Sequence, residues 1–162
     1  MENMEGKRYI SKIRKLWISS LLLSAILIAT SIAVLNFFVW SEFAEVSFWW
    51  IPGIFIPLVV GLVLRSGILN LSLNEVSRLL NQSYPQLEES SDLFLKSENS
   101  LNTLEKLQIR KIEPELSTVE APASIYRRLK ISALIFVASL IISLILGRFD
   151  MLNKIDLTQI AG

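Results

Sequence analysis

The sequence predicts an all-α membrane protein: three transmembrane helices, with a cytoplasmic helical insertion between the second and the third. Two observations carry that expectation. Residues 16–40, 48–64 and 129–146 contain no Asp, Glu or Arg, and Lys130 is their only Lys. A hydrocarbon core about 30 Å thick is crossed by roughly 20 apolar helical residues, with about 17 at the lower end, so each stretch is long enough. The composition agrees: 52% of the 162 residues are hydrophobic and the mean hydropathy is +0.49. Too few polar side chains remain to cover a soluble core of that size.

The first stretch exceeds the roughly 7 to 15-residue apolar region of a cleaved signal peptide, and no small-x-small site precedes Ser41-Glu42-Phe43. The chain contains no Cys and no His. Disulfides and thiolate chemistry are therefore excluded, and the commonest metal ligand and general base is missing. No catalytic residue, metal ligand or cofactor is expected.

Flanking charges predict the direction of crossing. Lys7, Arg8, Lys12, Arg14 and Lys15 precede the first span, whereas the link 41–47 carries Glu42 and Glu45 and no basic residue. Arg65 closes the second span, Arg127, Arg128 and Lys130 open the third, and only Arg148 and Lys154 lie beyond it. Lys and Arg are retained on the cytoplasmic side of short loops. The N-terminus and the middle segment are thus expected inside, and the C-terminus outside. The segments are a basic N-terminus (1–15), a transmembrane hairpin (16–65), a cytoplasmic amphipathic segment (66–126), the third span (127–148) and an extracytoplasmic tail (149–162). Trp40, Phe48, Trp49 and Trp50 at one interface, and Trp17 with Tyr126 at the other, suit the headgroup preference of amphipathic rings.

Each span carries small or kink-forming residues four apart: Ala25, Ala29 and Ala33; Gly53, Pro57 and Gly61; Ser139, Ser143 and Gly147. Such stripes let helix backbones approach where lipid provides no hydrophobic drive, and they predict a three-helix bundle. A polar path along Ser20, Ser24, Thr30 and Ser31 is the sharper alternative. These side chains usually bond their own preceding carbonyls, and an ion or proton route would be expected to carry an intramembrane acid or base. Pro52 fits a first turn, while Pro57 predicts a mid-span kink, a static bend or a hinge.

Residues 66–126 are polar and acidic, with five basic against nine acidic side chains. That balance does not suit nucleic acid, and no small-molecule substrate is evident. Ser72 and Glu75 have the form of a capping box, followed by Leu73, Val76, Leu79 and Leu80 on a helix expected to stop near Tyr84-Pro85. From Pro85, a second amphipathic helix is expected, with Leu87, Phe94 and Leu101 at sevenfold spacing and Leu104, Leu107 and Ile112 extending the stripe. A turn or fresh N-cap could interrupt it at 96–100, and Pro114 should end it. Pro122 is placed at the start of the helix leading into the third span. Self-packing is the main expectation for these stripes. The alternative makes Val76, Leu79, Leu80, Leu87, Phe94 and Leu101 a partner-docking face. Glu88, Glu89 and Asp92 read as a solvated face, since adjacent glutamates diverge on a helix.

The stretch from Asn74 to Leu95, with Leu79-Leu80, Tyr84-Pro85-Gln86-Leu87-Glu88-Glu89-Ser90 and Leu93-Phe94-Leu95, resembles the N-terminal region of large uncharacterised bacterial membrane proteins of the Bacteroidota type. The resemblance covers residues 10–150. Members of such families continue past the third span into a long extracytoplasmic region. The resemblance therefore implies either the membrane anchor of a longer polypeptide, which is favoured, or a short relative without the exported part, with no catalytic residue to carry over. Together with the missing His and Cys, it sets the expectation of a non-catalytic anchor or scaffold of a bacterial inner (cytoplasmic) membrane that holds a partner or a following extracytoplasmic region. The expected partners are the lipid bilayer and a protein partner or oligomer. The alternative is an accessory subunit of a membrane transport or secretion complex.

Overall fold

The computed structural model describes residues 3–41, 47, 49–87 and 90–160. Among these it is all helical, with no strand: α1 (Asn3–Ser41), α2 (Trp50–Arg65), α3 (Leu73–Ser83), α4 (Thr103–Thr118) and α5 (Ala123–Ile160), with short 3₁₀ turns between α2 and α3 and between α3 and α4. Two helical stretches, Glu5–Ser41 and Ala123–Arg148, are long and apolar enough to cross a membrane. The expected middle span corresponds to α2, which is apolar but only 16 residues long, or about 24 Å at 1.5 Å per residue. Glu42, Glu45, Phe48, Glu88 and Glu89 lie outside the described residues.

The chain divides into two compact units, residues 1–20 with 67–127, and residues 21–66 with 128–162. In the first unit the N-terminal residues are not a tail. They form the opening turns of α1, and Ile10 and Ile13 are buried in the same core as Val76, Leu80, Phe94, Ile112 and Ile125. Gly6 makes room for that core, because a Cβ there would overlap the ring of Phe94.

The helix α3 begins as the sequence predicts. Ser72 accepts a hydrogen bond from the Glu75 amide, and the Glu75 carboxylate accepts one from the Ser72 amide. Val76 and Leu80, one turn apart, enter the core. Tyr84 ends the helix in an extended conformation, as the following proline requires.

The expected long helix from Pro85 is absent. Three 3₁₀ turns, Pro85–Leu87, Ser91–Leu95 and Glu98–Ser100, occupy its first half. Serine chemistry explains the replacement. The Ser91 amide donates to Asn81 Oδ1 at 3.1 Å, and its hydroxyl donates to the Ser77 carbonyl at 2.9 Å. Ser100 Oγ donates to the Ser97 carbonyl at 2.7 Å. Side chains that offer the backbone such partners compete with helix propagation. Leu87, Phe94 and Leu101 are buried all the same, delivered by successive turns rather than by one helix face.

A second capping box, between Asn102 and Glu105, then starts α4. The helix passes through Pro114 and ends only at Thr118, so the expected stop at the proline is corrected. Ile109, Ile112 and Leu116 anchor it in the core. Beyond it, the hydroxyls of Tyr9 and Tyr84 donate to the carbonyls of Val119 and Glu120, and Ser20 Oγ donates to the Ile125 carbonyl at 2.9 Å.

Lys96 Nζ lies 2.7 Å from Glu105 Oε1. The hydrogen bond from Lys96, followed by the one from the Asn102 amide, holds the Glu105 carboxyl below its ordinary pKa, and the bond to Glu105 raises the Lys96 ammonium. A lowered carboxylate pKa contributes stability above the ordinary carboxylate range and loses it as pH falls through the folded value. A raised lysine pKa contributes below the ordinary lysine value and loses it as pH climbs through the folded one. Hydrogen-exchange protection of the first turn of α4 is therefore expected to be flat around neutrality and to fall at both extremes. Glu105→Gln should abolish the acid arm; an acid arm that persists in that variant would assign the effect elsewhere.

In the second unit, α1 buries Ala25, Ala29 and Ala33 completely or nearly so, and α5 buries Ser132, Ser139 and Ser143. Ser24 and Ser132 are joined through their hydroxyls, and a Cβ on Gly147 would lie 3.4 Å from the ring of Phe38. Both contacts advance together along the two helices, so α1 and α5 run in the same direction here. No residue of α2 is buried. Its end is set by Gly67, whose φ of 76° favours a residue without a Cβ.

Candidate functional site

The small-residue stripes separate into two kinds. Ala25, Ala29, Ala33, Ser139 and Ser143 are buried, and Gly147 is half-buried. Gly53, Pro57 and Gly61 are exposed, and among the described residues nothing outside their own helix backbone lies within 4 Å of a Cβ built on either glycine. The α1 and α5 stripes are therefore shielded from solvent, whereas the α2 stripe is open among the described residues. Broad apolar faces point outward beside them, including Ile56, Val60 and Leu64 of α2 and Leu134, Ile141 and Leu144 of α5. Exposed apolar surface of that extent marks contact with lipid or protein.

Hydroxyls along the spans are mostly satisfied locally. Thr30 and Ser31 donate to the carbonyls of Ile26 and Leu27 at 2.8 Å, and Ser139 donates to that of Phe136 at 2.8 Å. Ser143 Oγ is buried without a hydrogen-bond partner among the described residues. Of the four hydroxyls expected to line a polar path, Thr30 and Ser31 thus turn to their own helix, while Ser20 and Ser24 bond across to α5.

The proposed docking residues are elsewhere engaged. Val76, Leu80, Leu87, Phe94 and Leu101 are enclosed by the core of the first unit, and Leu79 packs against it. Their apolar spacing reflects self-packing, so a partner would meet none of the five enclosed side chains. Leu104 and Leu107 of α4, expected to extend the stripe, are exposed instead. On the same unit Asn74, Arg78, Asn81, Gln82 and Asp92 line a shallow polar cleft. Among the described residues no three acidic side chains gather as a metal site would require.

The second unit holds a more distinctive cleft, of about 340 Å³, where α1, the end of α2 and the start of α5 converge. Arg65 and Arg128 line it, with Ser24, Ser66 and Ser132, and its remaining wall is aliphatic. The two arginines were legible in sequence only as markers of orientation. The available signal was that both stand at the ends of apolar stretches on the same expected side. No family model, curated protein or solved structure matches the chain.

Proposed function

We propose that this chain is a non-catalytic integral membrane anchor or scaffold, with three spans, the N-terminus cytoplasmic and the C-terminus extracytoplasmic, in a bacterial inner membrane. The observation that carries the proposal is the parallel pairing of α1 and α5 in the second unit, through Ser24 with Ser132 and Phe38 with Gly147. Two spans that run in the same direction require the intervening chain to return across the bilayer. Among the described residues the other apolar helix is α2, so α2 makes the return. Its length of about 24 Å is short against a core of about 30 Å, and local thinning with interfacial Trp and Arg side chains accommodates such a mismatch. Trp49, Trp50 and Arg65 stand where those anchors are needed. The first unit supplies a packed helical body, and what the anchor holds is a partner or a following extracytoplasmic region.

Cysteine labelling tests the topology without interference, since the native chain has no Cys. A membrane-impermeant thiol reagent added to intact cells should modify Ala44→Cys and leave Glu98→Cys untouched until the membrane is opened. Equal labelling of both would remove the α2 crossing, and the reverse pattern would overturn the orientation.

A second role, as an accessory subunit of a transport or secretion complex, is favoured by the open Gly53, Pro57 and Gly61 stripe. Small residues at that spacing receive another helix closely. Stoichiometric co-purification of a membrane partner, lost in Gly53→Leu/Gly61→Leu, would select this role over the anchor.

A further inference from the structure

The cleft between α1, α2 and α5 is more specific than anchoring needs. Its hydroxyl protons are already committed. Ser132 donates to the Arg128 carbonyl at 2.9 Å, Ser66 donates to the Val63 carbonyl at 2.7 Å, and Ser24 is therefore the donor in its bond to Ser132. The donors left for a ligand are the guanidinium groups of Arg65 and Arg128. No carboxylate lines the cleft, and none among the described residues pairs with either arginine. Two unpaired arginines lining one cleft select an anion, and the planar forks of their guanidinium groups match phosphate oxygens.

The rest of the wall selects what the anion is attached to. Leu62 precedes Arg65 by three residues on α2, and Ile131 follows Arg128 by three on α5. About one helical turn from each charge, the surface becomes aliphatic, and Leu21, Ala25 and Ile28 of α1 continue it. An inorganic anion has no use for that wall. A molecule with an anionic head and a hydrocarbon tail fits both ends.

We propose that this cleft binds an anionic phospholipid, its phosphate held between Arg65 and Arg128 and an acyl chain lying along Leu62, Ile131 and Ile28. Basic pockets between transmembrane helices on the cytoplasmic side bind anionic headgroups in this way. The site rests on the proposed span topology, which puts both arginines at the cytoplasmic headgroup level.

The test is native mass spectrometry of the full chain in a non-ionic detergent, titrated with phosphatidylglycerol or with phosphatidylcholine of the same acyl chains. The wild-type protein should retain one phosphatidylglycerol in preference to phosphatidylcholine. Arg65→Gln and Arg128→Gln should each weaken that preference by roughly fivefold, while Lys130→Gln, a neighbouring charge that does not line the cleft, should preserve it. Undiminished preference in the double arginine variant overturns the site, as does an equal loss in Lys130→Gln, which would mark diffuse attraction. Displacement of the lipid by inorganic phosphate at constant ionic strength would assign the cleft to a free anion and overturn the lipid assignment. Alkaline carbonate extraction separates the two levels of failure. A chain released from membranes loses the span topology itself, whereas one that stays embedded without a lipid preference loses only the lipid site.

Discussion

Truncating Phe94 to alanine is expected to destabilise the first unit by about 3–5 kcal/mol, the range for emptying a buried aromatic site. Phe94 is 1% exposed and belongs to the same core as Ile10, Val76, Leu80 and Ile112. Its ring also lies under the first turn of α1 at Gly6. The loss therefore removes packing from α1, α3 and α4 together. Hydrogen exchange in detergent micelles checks this, because amides of α3 and α4 should lose protection in Phe94→Ala. Unchanged exchange there would show that the ring does not hold these helices.

Placing a side chain at Gly6 is the complementary experiment. Even a Cβ would overlap the Phe94 ring, so Gly6→Leu forces either the ring or the helix to move. Overpacking of this kind costs about 1–3 kcal/mol, and the same amides report it. The two substitutions act on one volume, so they should not add. In the double variant Gly6→Leu/Phe94→Ala the leucine enters the space the ring vacated, with a favourable coupling of about 0.5–3 kcal/mol. Strict additivity would mean that Gly6 and Phe94 do not share that space.

The parts of the fold legible in the sequence were those in which a single residue type has a single physical consequence. Excluded charge marked the long apolar helices, because an ionised side chain in hydrocarbon is costly wherever it stands. Ser72 with Glu75 marked the start of α3, because both halves of the capping box are local. Pro85 marked its end through the restriction on Tyr84. Failure came where a pattern has several solutions. Leu87, Phe94 and Leu101 recur every seven residues, and that spacing suits both a helix stripe and successive 3₁₀ turns. The choice was made by Asn81 and Ser77, which capture the amide and hydroxyl of Ser91. Gly6 was unreadable for the same reason: its role is defined by a ring distant in sequence.

The candidate site divided along similar lines. Small residues four apart identified helix faces, yet the sequence could not say which faces meet within the chain and which remain open. Arg65 and Arg128 were read singly, as charges that orient spans. Their convergence on one cleft depends on α2 and α5 meeting α1 at the same level, a tertiary fact with no local signature.

The first unit is assembled from distant parts of the chain. Ile10 and Ile13 share a core with Ile112, Leu116 and Ile125, and Ser20 bonds the carbonyl of Ile125. Contacts of such sequence separation form late, since the intervening loop must close first. During synthesis the opening turns of α1 therefore emerge long before their partners exist, and the unit is completed only when the start of α5 has left the ribosome. Completion of the helical body therefore waits on the opening residues of α5. A nascent chain halted before Ile125 would expose an unfinished core to chaperones and proteases.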